Sequence, residues 1–321
     1  MNDGLIQFWA FHVANQYVVV AESVPVLQPT LTVARLAMAT RFEIAMHGSN
    51  LAFLRAAAEE ALDEVDLWES LLNIYRPNSE LARINALAAH EYVRVDPRVF
   101  RFLQQARDLT AITEGAFDIT AAPLLRAWGF IGGSGALADP VLLEAARRCV
   151  GWQHVHLDNA QGAVRFDQPG VMLDPGAIGK GYALDHAVNC LRDAGIESAL
   201  IHGGTSTVCA IGHPPDAEGW TIALPPNSAD KERGGVHTEC LRDESLSVSA
   251  AWGKSFTDKG LVRGHVLDPR TAQPVSHATM AMVVTPTATE SDALSTALLV
   301  LGRDGVSILN KVSPVIRWRV D

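Results

Sequence analysis

The stretch Leu173-Asp174-Pro175-Gly176-Ala177-Ile178-Gly179-Lys180-Gly181-Tyr182-Ala183 joins a short apolar run to a helix, and the rest of the chain is laid out around it. Asp174, Gly176, Gly179, Lys180 and Gly181 fall within eight positions. Glycines let the main chain approach a ligand closely, and the first turn of a helix offers free amides carrying partial positive charge. The pattern suits a phosphate, to which Lys180 could add a charge-assisted hydrogen bond worth roughly 1.5–3 kcal/mol. A tight strand-to-helix connection with a surface lysine would use the same residues. Spacing alone does not choose between the two.

Downstream, Ala183, Ala187, Leu191 and Ala194 continue the helix, which Gly195 caps. Ser198 to His202 reads as a buried strand ending in Gly203-Gly204. Further strands are expected near Thr207–Gly212, Trp220–Leu224, Ser245–Ser249, Leu261–Val266 and Thr279–Thr285, then a helix from Ser291 to Leu301. Pro225 to Gly235 is polar and loop-like.

Upstream, Arg41 to Met46 alternates as a half-buried strand does, and from Leu51 an amphipathic helix runs to about Ile74. Asp96-Pro97 and Asp139-Pro140 each pair an N-cap with a proline in the first helical turn. Gly132, Gly133 and Gly135 mark a surface loop, and short strands are expected at Val155–Leu157, Ala163–Phe166 and Val171–Leu173. Hairpin-like strands mixed with helices favour an α+β fold with mixed or antiparallel sheets over a regular βαβ winding. The length allows one elaborate domain or two closely packed ones, after an uncertain opening segment.

The composition excludes several classes. With 48% apolar residues the chain can build a large core. Its 26 basic against 36 acidic residues leave a net charge of −10, so nucleic acid is not an expected partner. An anionic ligand would have to be held by local amides, a metal or a few placed cations. Cys149, Cys190, Cys209 and Cys240 are widely spaced, which predicts four buried thiols in a reducing compartment. No Lys or Arg precedes Arg35 and the early apolar run is interrupted, which makes a poor signal sequence; a cytoplasmic protein is expected. No stretch reaches the roughly 18 apolar residues of a membrane span.

Three other groups of residues carry chemical content. Asp292 and Thr296 lie four apart, so a carboxylate and a hydroxyl share one helix face. Such oxygens suit Mg2+, although an Asp in the first turn of a helix is also ordinary capping. His265, on a strand leading into Asp268-Pro269-Arg270-Thr271, could act as a general base, a phosphate contact or a structural residue; Asp268 and Arg270 fix the turn. In Gly115-Ala116-Phe117-Asp118, Phe117 could stack on a planar ligand and Asp118 accept from it, whereas Trp128 and Phe130 suit core packing.

These segments, taken in order, resemble the ApbE family of FAD:protein FMN transferases from about Met38 to Gly302. The resemblance is carried by Met38-Ala39-Thr40, by Glu69 to Tyr75 with Ser79-Glu-Leu-Ala-Arg-Ile-Asn85, and by Gly115 to Asp118. It continues through Asp174 to Gly181, Gly203-Gly204, His265 to Thr271 and Asp292 to Thr296. It implies a single α+β domain over 31–321, after the uncertain segment 1–30, with a central FAD cleft. It implies that Ala177, through its carbonyl, Asp292 and Thr296 bind Mg2+, and that Met38, Tyr75, Ala116, Phe117, Asp118, Asp174, Lys180 and Val266 contact FAD. Lys180 and His265 are its implied catalytic residues, His265 lying near the pyrophosphate. The implied reaction moves FMN from FAD to a Thr or Ser of an acceptor flavoprotein with release of AMP; FAD binding without transfer, or hydrolysis to FMN and AMP, are the alternatives. The chain departs from the family pattern at Ala39, Ala177 and Thr205. It departs again at Ser247 to Phe256, where a Thr-Ser-Gly segment followed by an aromatic and a basic residue is usual.

Overall fold

Among the described residues seven strands form the central sheet: β1 (Leu31–Ala37), β2 (Thr40–Met46), β3 (Ala199–Gly203), β4 (Thr207–Ile211), β5 (Ser245–Ala250), β6 (Met280–Thr285) and β7 (Arg317–Val320). Every pairing is antiparallel, and the strands cross the sheet in the order in which they occur along the chain. The computed structural model describes residues 29–224, 237–251, 253–312 and 317–321. The expected loop at Pro225–Gly235 and nearly all of segment 1–30 lie outside the described residues.

The helices leave the sheet as long excursions. They are α1 (Leu51–Leu72), α2 (Glu80–Leu87), α3 (Pro97–Ile112), α4 (Ala122–Ala127), α5 (Pro140–Arg147), α6 (Gly179–Asp193), α7 (Ala288–Leu301) and α8 (Val306–Val312). Asn50, Ser79, Asp96 and Asp139 cap α1, α2, α3 and α5 by accepting from main-chain N–H groups. The main core joins one face of the sheet, through Phe42, Ile44, Met46, Ile201 and Val283, to α1, α6 and α7. Nearly every α7 side chain is buried, because the helix lies against the sheet and α6 together.

The opposite face is covered as well. Leu200, Val208, Leu246, Met282 and Val284 pack there against Trp220, Leu224 and Leu241 of the hairpin Trp220–Leu224/His237–Leu241. The half-buried reading of Arg41–Met46 is corrected: β2 is buried from Phe42 to Met46, Glu43 included, the Arg41 guanidinium donating to the Glu43 carboxylate at 2.6 Å. Trp128 and Phe130 do pack as expected, in a satellite core with Leu124, Leu267 and Ala272, and the Trp128 indole N–H donates to the Ala272 carbonyl at 3.0 Å.

Other expectations are corrected by tertiary contacts. Val171–Leu173 joins no sheet; Asn85 binds its main chain instead, its amide donating to the Leu173 carbonyl at 2.9 Å and its oxygen accepting the Leu173 N–H at 2.8 Å. The last long helix starts at Ala288, behind a Thr287 cap, rather than at Ser291. All four cysteines are free thiols, but only Cys209 is buried and Cys240 is exposed. No helix among the described residues is long and apolar enough to cross a membrane.

Candidate active site

The glycine-rich stretch is the junction between α6 and α7. Ile178 and Gly179 both donate to the Pro175 carbonyl, at 3.0 and 2.7 Å, which turns the chain into α6. Gly176 donates to the Asp174 carboxylate at 2.8 Å, closing the turn before it. Gly181 then donates to Asp292 Oδ2 at 3.0 Å instead of to the Ala177 carbonyl four residues back. The Ala177 carbonyl therefore has no main-chain donor among the described residues, and the carboxylate that takes the Gly181 N–H is 4% exposed. Asp292 sits in the second turn of α7, so first-turn capping of its own helix does not account for it.

Gly181 is required by contact. A Cβ there would lie 2.2 Å from the Ala288 carbonyl oxygen and 2.9 Å from Asp292 Cβ. Only a residue without a side chain lets the two helices approach this closely. Four residues after Asp292, the Thr296 hydroxyl lies 2.9 Å from Ser249 Oγ and donates to the Asp292 carbonyl at 3.3 Å. Ser249 belongs to the segment that departs from the family pattern, so that segment touches the candidate metal residues directly.

Charge around the turn is organised by burial and by two lysines. Burial pushes the Asp174 carboxyl up, while its bond from Gly176 and the ammonium groups of Lys254 and Lys180 pull it down. His265 is lowered by burial, against the pull of the nearby Lys254 carbonyl, and the same two lysines lower it further. Its Nδ1 is buried without a hydrogen-bond partner among the described residues. Tyr75 is 63% exposed and is raised by burial and then by the charge of Asp174, which places it beside the turn. Asp174, Lys180, His265 and Tyr75 thus share one electrostatic neighbourhood. Lys254 joins it, a residue that sequence reasoning passed over because it lies in the departing segment.

The remaining expected contacts are placed less uniformly. Asp118 adjoins the turn through the Asp174 N–H, which donates to the Ile119 carbonyl at 2.8 Å. Burial drives its carboxyl up to about 6, against the bonds from Thr120. Ala116 and Phe117 are core residues; Phe117 is 1% exposed, so its ring is not open to stack on a ligand, and this corrects the expectation. Met38 occupies the two-residue turn between β1 and β2, where it and Ala39 both have positive φ, and packs against the main core. Val266 also packs there, its carbonyl accepting from Val275.

The fold and this crossed helix pair define an antiparallel α+β domain of a known type. Residues 38–317 match the model of the ApbE family, and the chain belongs to that family. A FAD:protein FMN transferase of Klebsiella pneumoniae (strain 342) is 28% identical over 270 residues, covering 83% of this chain and 77% of that protein. One from Rhodobacter capsulatus is 33% identical over 228 residues, covering 70% of this chain and 43% of that protein. Among solved structures, the ApbE protein of Thermotoga maritima aligns with a TM-score of 0.81 at 26% identity, over 90% of this chain and 93% of its own. The apo form of the flavinyl transferase ApbE from Pseudomonas stutzeri aligns with a TM-score of 0.78 at 27% identity, over 90% and 89%.

Proposed function

We propose that the chain is a Mg2+-dependent FAD:protein FMN transferase, which joins the FMN half of FAD through a phosphoester to a Thr or Ser of an acceptor flavoprotein and releases AMP. The observation that carries the metal part is the diversion of the Gly181 N–H to Asp292, which leaves the Ala177 carbonyl without that donor. With the Asp292 carboxylate and the Thr296 hydroxyl it makes an all-oxygen donor set carrying one charge, and such a set fits Mg2+. Bound there, the ion would neutralise phosphate charge as the bond to AMP breaks.

The chain's own groups account for the rest. Lys180 and Lys254, both of which act on Asp174, offer positive charge to the pyrophosphate at the first turn of α6. The acceptor hydroxyl oxygen forms the new bond to the FMN phosphorus, the bond from that phosphorus to the AMP oxygen breaks, and the hydroxyl proton passes to His265. Burial keeps His265 neutral near pH 7, the state a base requires. Positioning and charge neutralisation supply most of the catalysis in such a phosphoryl transfer.

Incubation with FAD, Mg2+ and an acceptor domain carrying a candidate Thr tests the reading by mass spectrometry of both protein and small products. An acceptor mass gain of one FMN residue, matched by AMP, is expected. Free FMN with AMP and no adduct would assign hydrolysis instead, and bound, intact FAD would assign a flavin-binding protein without transfer.

A further inference from the structure

Asp185 lies one turn beyond Gly181 on α6 and accepts from three groups at the start of α7. Its Oδ1 takes the Ala288 N–H at 2.7 Å, and its Oδ2 takes the Thr289 N–H at 2.9 Å and the Thr289 hydroxyl. Asp292 lies one turn beyond Ala288 on α7 and accepts the Gly181 N–H of α6. Each helix therefore gives an amide from its first turn and receives the other's amide on a carboxylate four residues on. We infer that Asp185 is a positioning residue for the candidate metal site: by holding the first amides of α7, it sets where that helix presents Asp292 and Thr296 to the Ala177 carbonyl.

Two separate links fix both the sliding and the rotation of α7 against α6, whereas the Asp292 bond alone would leave a pivot. The local cap cannot replace Asp185, since Thr287 Oγ1 accepts only the Glu290 N–H, at 3.4 Å. Asp185 acts through α7 and not on a ligand. It lines a cavity of about 240 Å³ with Tyr182, His186, Asn189 and Arg192, and none of the candidate metal residues lines that cavity. The carboxylate is held there despite burial, which raises its pKa, because three donors compensate it.

This inference rests on the proposed metal site, and its test separates the two. Mn2+, used in place of Mg2+, is titrated into the full chain and followed by electron paramagnetic resonance, with far-ultraviolet circular dichroism as the check on folding. Asp185→Asn keeps the size of the side chain but turns an amide N–H2 toward main-chain donors, and is expected to weaken Mn2+ binding by about tenfold or more. Thr289→Val removes one of the three bonds and is expected to weaken it by about threefold. Thr287→Ala, which removes only the local cap, is expected to leave the affinity within about twofold. Affinity within twofold of the parent in Asp185→Asn would overturn the inference, as would an equal loss in Thr287→Ala. If Asp185→Asn does not fold, Thr289→Val decides by the same criterion. Absence of Mn2+ binding to the parent chain would overturn the metal reading itself, and this inference with it.

Discussion

Replacing Gly181 by alanine tests the helix junction most directly. The new Cβ would sit 2.2 Å from the Ala288 oxygen and 2.7 Å from its carbon, where uncrowded carbon contacts need about 3.5 Å, so the helices must part by roughly 1 Å. The 3.0 Å bond from Gly181 to Asp292 then stretches to about 4 Å and is lost. Overpacking costs about 1–3 kcal/mol, and losing the charge-assisted bond about 1.5–3 kcal/mol more. Alanine's helix propensity returns about 1 kcal/mol. A net destabilisation of roughly 1.5–5 kcal/mol is expected as a lower urea midpoint at unchanged slope, with FMN transfer lost at urea-free stability still sufficient to fold. A variant with the parent's midpoint and transfer rate would refute both the close crossing and its part in catalysis.

Three further outcomes are expected. Asp118, raised to about 6, binds a proton in the native state that the unfolded chain releases near 4, so its contribution to stability falls as pH rises through that window. Asp118→Asn, which still accepts from Thr120, is therefore expected to stabilise the protein by up to about 3 kcal/mol at pH 8 and by little at pH 4, read by urea unfolding at both values. Asn85→Ala strips both partners from Leu173 and is expected to cost about 2–4 kcal/mol and to weaken FAD binding in a fluorescence titration, since Asp174 follows directly. For His265, lowered by burial, the acid limb of the transfer rate is expected below the ordinary histidine value of about 6.5, and His265→Gln is expected to slow transfer by about 10²-fold or more.

The sequence carried the local features well. Asp96-Pro97 and Asp139-Pro140 do start helices, and Gly195, with φ of 81°, does follow the end of α6. What it could not carry were relations between distant segments. Val171–Leu173 has the composition of a strand, but its main-chain partner is the side chain of Asn85, which no periodicity reveals. Phe117 looks like a stacking ring until the helices that bury it are assembled around it. Edge strands β1 and β7 carry a weak strand signal because most of each one's residues are exposed or only partly buried. Asp185 lies four residues beyond Gly181, yet the amides it binds are on α7, a hundred residues further along the chain.

The strand order of the central sheet bears on how the protein is made. Because β1 to β7 pair in chain order, each strand leaving the ribosome adds to an edge already formed, and no earlier pairing has to open for a later strand. The exchange of carboxylates between α6 and α7 falls outside that sequence. It waits for Ala288 to Asp292, long after Gly181 has been synthesised. A chain arrested before α7 could thus hold much of its sheet and still lack two of the three oxygens proposed for the metal, so the proposed site cannot assemble until α7 has been made.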